Sequence, residues 1–354
     1  MIERGTINTG GTSVVSVLGD VTVRGEINHQ GTLVLHNDLF DLDGFVSSTG
    51  SLHLVGSNQD IQLGDVSLSS LSVRGGGTKL LSGKIAVLQQ LSLVDGILET
   101  NDSSRLMLLP STRVNGGSSR SYVDGFLYHS STGKKFCPVG KDGVYAPATL
   151  HNVTGNNPTV GIAYFPSSKL DGTEFHWQQT VVGGTYDGST VELTFTSENS
   201  DYQEYGDELA VLATETGSPN YSWLGQSSLS VQGNRFSITS GQPTALPILT
   251  VGFDNTEVTQ RLYLPNAFSP TAPNPEDRCI KVYGQHLSSR NFYFAIQDVW
   301  GATVYETTSK VEASTQGWRG TTRTASETMT YRYRLEGEFI GGEPFRQTGT
   351  IVQY

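Results

Sequence analysis

The residues of this chain best suited to acid–base or metal chemistry are its seven histidines, His29, His36, His53, His129, His151, His176 and His286. None stands at His-x-His spacing, in a His-Glu-x-x-His motif or beside a paired cysteine, so local sequence defines no ligand set for zinc or a related ion. His36 and His53 fall at a spacing that would stack them on one face of a repeat. The two thiols, Cys137 and Cys279, lie far apart and predict no disulfide framework. Phe136-Cys137-Pro138-Val139 reads as the start of a buried strand, where cysteine acts as a small hydrophobe. No Gly-x-Ser-x-Gly elbow marks a nucleophile. Asp207 and Glu208 are neighbours, which places them on opposite faces of a strand, and no other carboxylate pair signals glycoside chemistry. The expectation is no catalytic centre, no metal and no cofactor, hence not an enzyme. Tyr202, Tyr205, Tyr221 and Trp223 lie in a turn-rich stretch and form a candidate platform for stacking sugar rings.

The elements that must position these residues are strands. Gly is 41 of 354 residues and Ser, Thr and Val abound, a composition suited to strands closed by tight turns. The length predicts two or three separately cored units. The formal net charge of −11, with no run of Lys or Arg, excludes nucleic acid as the expected partner. No segment has the roughly 18 consecutive apolar residues of a membrane helix. Met1-Ile2-Glu3-Arg4-Gly5 leads straight into strand-like sequence, so an exported form is expected to have its signal peptide outside this numbering.

Residues 1–115 repeat themselves. The phrase Gly25-Glu26-Ile27-Asn28-His29-Gln30-Gly31-Thr32-Leu33-Val34-Leu35 returns as Gly44-Phe45-Val46-Ser47-Ser48-Thr49-Gly50-Ser51-Leu52-His53-Leu54, and a looser copy begins at Gly5. A repeat of about 20 residues with glycine corners is the pattern of a β-solenoid, with Leu33, Leu35, Leu52 and Leu54 directed inward. Residues 116–256 then show strands at 160–165, 190–195, 209–213, 235–238 and 248–253, separated by Gly, Asn, Asp and Pro, which predicts an antiparallel sandwich closed by the polar joint Asp254-Asn255-Thr256-Glu257. Residues 260–354 predict a third unit, a small Ig-like sandwich. The fold class expected is therefore all-β.

The third unit carries five phrases in order: Pro265-Asn266-Ala267-Phe268-Ser269-Pro270, Trp300-Gly301, Gly317-Trp318-Arg319-Gly320, Tyr331-Arg332-Tyr333, and a last strand with Gly349, Ile351 and Tyr354. Together they resemble the type B, gliding-motility-associated, C-terminal sorting domain of type IX secretion cargo in Bacteroidetes. Tyr122-Val123-Asp124-Gly125 with Phe136-Cys137-Pro138-Val139-Gly140 resembles a segment that recurs in large surface proteins of the same bacteria. Where that family carries an Asn- and Asp-rich turn suited to calcium, this chain has Thr271 to Asp277 with two prolines, and Val299 stands where the family commonly has an arginine.

The resemblance implies a secreted protein held peripherally on the outer membrane at the cell surface, docked through residues 260–354 on a barrel of the PorP/SprF family and handled by type IX translocon components. A short chain with few other modules is similar to PorA-like components, which serve the secretion system in assembly or signalling. The alternative implied is a short adhesin or glycan-binding protein using the same export signal. Trp318 and Trp300 are expected in the core of the third unit. The strand from Gly349 to Tyr354 is expected to be open to strand addition.

Overall fold

Leucines recurring about every 20 residues can be buried only if successive coils stack, and the structure, a computed structural model, shows them stacked. Leu33, Leu52, Leu71 and Leu91 follow one another in parallel register, as do Leu35, Leu54, Val73 and Leu93. All eight side chains are buried. Residues 6–24, 26–41, 49–101, 103–166, 175–198, 201–253, 261–321, 328–340 and 342–354 are described. Gly5, Gly25, Gly44 to Ser48 and the joint Asp254 to Glu257 lie outside them.

Each coil has three sides. One ladder runs through Val14–Val17, Thr32–Leu35, Ser51–Leu54, the ends of the long strands Gln59–Val73 and Thr78–Leu93, and Arg113–Gly116. A second joins Val21–Val23, Leu39–Asp41, the starts of the same long strands, Ile97–Thr100, Val123–Asp124 and Val139–Lys141. The third takes their middles, then Arg105–Leu108 and Leu127–Ser130. Inside, the columns are aliphatic, because every second residue of a strand points inward and meets its equivalent one coil away. The corners turn backbone carbonyls inward, and buried side chains meet them. Lys79 Nζ donates to Gly56 O (2.6 Å), Ser57 O (2.9 Å) and Gly76 O. Gln59, its partner in register, donates to Leu35 O (3.1 Å) and Asn37 O (2.7 Å). At Gly83, φ is +106° and a Cβ would strike Leu63 O, so only glycine turns that corner.

The boundary expected at residue 115 is not a break. Val123–Asp124 and Leu127–Ser130 still stack in parallel on the coil before them. Leu127–Ser130 then pairs antiparallel with Thr159–Pro166, which pairs with Phe175–Gly183, which pairs with Ile248–Phe253. The central sheet thus grows from the last coil without losing hydrogen-bond continuity. A second sheet of five antiparallel strands runs in the order Gly133–Cys137, Ala148–Thr154, Gly188–Thr196, Arg235–Thr239, Ser228–Gln232. Phe175 of the first sheet meets Phe195 of the second at 5.0 Å between ring centroids. Trp177, fully buried, donates its indole N–H to Ala146 O at 2.8 Å. Residues 1–196 and 210–251 form this one unit.

The other unit is residues 252–354 together with 197–209. Its five-stranded sheet runs in the order Ala267–Phe268, Pro344–Gln353, Met329–Glu338, Tyr293–Gln297, Thr303–Thr307, antiparallel except for the first pair. A two-stranded ribbon pairs Arg261–Tyr263 with Tyr283–Gln285. The short helix Lys310–Thr315 is capped by Ser309, whose Oγ accepts from Glu312 N at 3.1 Å. Phe294, Ile296, Tyr331, Leu335 and Ile351 line the inner face of the sheet, and Leu264, Ile280, Val282, Leu287 and Ala313 cover it. The sequence predicts this unit from residue 260; the structure adds a segment from far upstream.

Candidate docking surface

The phrases quoted above are spread over residues 265–354, yet seven of their members lie in or against one core. Phe268, Trp318 and Tyr331 are all buried, with Phe268 to Trp318 at 5.3 Å and Trp318 to Tyr331 at 4.6 Å and 78°, an edge-to-face pair. The Tyr331 hydroxyl lies 2.8 Å from Thr321 Oγ1 and 3.3 Å from Gln353 Oε1. Trp318 is pinned by reciprocal backbone bonds to Ile280, at 2.8 and 2.9 Å. The flanking glycines make room. A Cβ on Gly320 would lie 2.9 Å from the Phe268 ring, and one on Gly349 would lie 2.7 Å from the ring of Tyr333, which lies over that bare backbone. Ile351 completes the set, fully buried.

The remaining positions are at the surface or its rim. Pro265 and Ser269 are half-buried, while Asn266, Ala267, Pro270, Gly301 and Tyr354 are exposed. The opening phrase lies against the chain end: Asn266 O accepts from Val352 N at 2.9 Å, Phe268 O from Tyr354 N at 3.0 Å, and Ser269 Oγ donates to Tyr354 O at 3.2 Å. This corrects the expected open edge from Gly349 to Tyr354, because the Ala267–Phe268 strand occupies that side at Val352 and Gln353. The other side pairs with Met329–Glu338 along the whole strand.

Trp300 also departs from expectation. It is 78% exposed rather than core, and Val299 beside it is exposed too. Both sit at the tip of the hairpin between Tyr293–Gln297 and Thr303–Thr307, beyond the last pair that the sheet can cover. Asp298 Oδ1 accepts from Trp300 N and Ala302 N, each at 2.9 Å, and Gly301 takes φ +86°, so the tip is built and the ring is held outward. Beside this hairpin, the outer face of the sheet forms a shallow cleft of about 420 Å³ lined by Tyr293, Gln297, Arg332, Arg334, Thr348 and Thr350. Arg334 lies 5.7 Å from the Tyr293 ring centroid and 2.6 Å from Glu336, which also meets Arg346 at 2.9 Å. The cleft offers guanidinium, hydroxyl and amide donors.

The segment at 197–209, which sequence reasoning assigned to the middle unit, is held by charge. Asp201, only 2% exposed, accepts from Ser288 Oγ at 2.6 Å and Ser289 N at 2.8 Å. Buried Lys310 donates to Glu204 (2.6 Å), Leu287 O (2.8 Å) and Tyr205 Oη (3.3 Å). His286 Nε2 lies 2.9 Å from Glu208. Burial, with Glu204 beside it, pushes the Tyr205 hydroxyl well above its ordinary pKa. Of the sugar platform expected from Tyr202, Tyr205, Tyr221 and Trp223, the first two are taken up by packing inside the C-terminal unit. Tyr202 is buried and stacked on Phe253 at 5.4 Å, and Tyr205 carries the Lys310 ammonium over its ring. An acidic residue in a turn gives no sign in sequence that its partner is a serine 87 positions on.

The histidines are dispersed. His53 faces Val34 and Ser72 across the ladder, not His36, which instead meets Ser16 Oγ at 3.2 Å. His129 is buried against Phe136 O at 3.1 Å, and desolvation, with Lys135 nearby, lowers its pKa to about 4. Burial drives the Cys137 thiol far up, away from thiolate character. Among the described residues, no three His, Cys, Asp or Glu side chains gather where they could hold a metal ion. No helix among them is long and apolar enough to cross a membrane. Neither protein-family models nor curated proteins match the chain.

Proposed function

We propose that this chain is a type IX-secreted cell-surface protein that docks on an outer-membrane barrel of the PorP/SprF family through its C-terminal unit, in a structural or signalling role. The carrying observation is that members of the five resembling phrases fall into two groups by burial. Phe268, Trp318, Gly320, Tyr331, Tyr333, Gly349 and Ile351 build one core, while Trp300, Gly301, Asn266, Pro270 and Tyr354 remain outside it. A set of phrases that maintains a fold and presents an exposed indole supports recognition of a shape by a partner. In this reading Val299 and Trp300 form the anchor and the Arg332/Arg334 cleft forms the polar rim.

The test is copurification from outer membranes of cells that carry the export system. The tagged full chain should bring down a barrel of this family, and a Val299→Ser/Trp300→Ser chain should be exported yet recover at least tenfold less of it, a loss of about 1.4 kcal/mol or more. Removing the C-terminal unit should block export. Recovery of no barrel with the full chain, or undiminished recovery with the double variant, would refute the respective part of the proposal.

A further inference from the structure

The solenoid-bearing unit has a second concave surface, distinct from the docking unit, on the outward face of the five-stranded sheet. Its volume is about 340 Å³, near the lower end of the 300–1,000 Å³ usual for small-ligand sites. We propose that this groove binds a neutral saccharide of one or two rings.

The groove is assembled from all five strands of this sheet and the short strand Val144–Tyr145. Register places Phe136 opposite Thr149, Thr149 opposite Glu192, Thr194 opposite Ser237, and Ser237 opposite Ser230, so these side chains share one face. Buried Thr149 and Thr194 form the floor. Half-buried Phe136 and Tyr145 form an aromatic wall, and the Arg235 guanidinium lies 5.6 Å from the Tyr145 ring centroid. Glu192 lines the groove, with His151 Nε2 at 3.0 Å and Ser237 Oγ donating at 2.9 Å. Desolvation alone would raise this carboxyl; those two hydrogen bonds, together with the electrostatic contributions of His151 and Lys134, outweigh it, and the group stays below its ordinary pKa. It is thus an oriented, ionised acceptor with its remaining lone pairs available.

Three features select the ligand class. An aromatic wall beside a hydroxyl-lined floor suits a molecule with one apolar face and an edge of hydroxyls, which describes a pyranose ring. The opposite charges of Glu192 and Arg235 line one groove, so a charged ligand gains one contact and meets repulsion at the other, whereas sugar hydroxyls can donate to the first and accept from the second. The strand Ser228–Gln232 lies at the sheet edge with Ser230 and Gln232 exposed, leaving the groove open on that side.

The experiment is saturation-transfer NMR on the full chain with maltose, cellobiose, lactose and N,N′-diacetylchitobiose as neutral probes and 6′-sialyllactose as an anionic one. Transfer should reach ring protons of at least one neutral probe. Glu192→Gln, which retains the size and an acceptor for Ser237, should weaken it by about tenfold, the size of one hydrogen bond to a charged group. Ser230→Trp, on the exposed edge, should abolish it by filling the groove, with the melting curve unchanged. The Val299→Ser/Trp300→Ser chain should bind as well as the parent, which separates this site from the docking surface. No transfer to any neutral probe, equal binding of the anionic one, or binding indifferent to both groove variants would overturn the proposal.

Discussion

Replacing Asp201 by alanine should selectively loosen the C-terminal unit, although residue 201 lies well outside it in sequence. The carboxylate is 2% exposed and accepts hydrogen bonds from Ser288 Oγ at 2.6 Å and Ser289 N at 2.8 Å. Bonds to a charged group contribute about 1.5–3 kcal/mol each, and truncation leaves both donors facing a pocket that no longer accepts. The expected loss is about 3–5 kcal/mol. Asp201→Asn retains the volume and one acceptor and should lose about half as much. Hydrogen exchange on the full chain reads this by region. Amides of Tyr293–Gln297 and Met329–Glu338 should lose roughly two orders of magnitude or more of protection, while those of Gln59–Val73 should not change. A fragment starting at residue 252 should show the same weakness, since it lacks the 197–209 segment altogether. Unchanged protection in Asp201→Ala, or an equal loss in both units, would refute the assignment of this segment as a structural part of the C-terminal unit.

Two further outcomes follow from burial. Trp318→Ala should destabilise the C-terminal unit by about 3–5 kcal/mol, whereas Trp300→Ala should stay within about 0.5 kcal/mol in denaturant titrations, because Trp318 is 5% exposed and Trp300 78%; equal losses would contradict the placement of the two rings. His129, held neutral with its pKa near 4, takes up a proton only on unfolding as pH falls from about 6.5 to about 4, so its contribution is complete above pH 6.5 and is lost across that window, on the order of 3 kcal/mol in total. His53 and His176 shift in the same direction, so the measurement is the difference between parent and His129→Gln in stability against pH. Identical slopes for the two chains between pH 6.5 and 4 would show that His129 titrates normally in the folded state.

What was legible in sequence is what depends on near neighbours along the chain. Alternation in Leu33-Val34-Leu35 and Leu52-His53-Leu54 sets which side chains point inward, and their recurrence sets the coil length, so the stacked leucine columns could be named before any coordinates. The phrases around Phe268, Trp318, Tyr331 and Gly349 were likewise recognisable in order. Which of them face the core was not. Val299-Trp300 reads as an apolar pair, and only its position at a hairpin tip, past the last paired residues, leaves the indole without a partner layer. The continuity of parallel stacking beyond residue 115 depends on register between separate strands, which composition does not encode. The membership of 197–209 in the C-terminal unit, and the meeting of Glu192 with His151 and Ser237, join groups more than forty residues apart. Local propensity is silent about such pairs, because a buried carboxylate and a solvated one have the same neighbours in sequence; only the packed fold decides which one has lost its water and gained two donors.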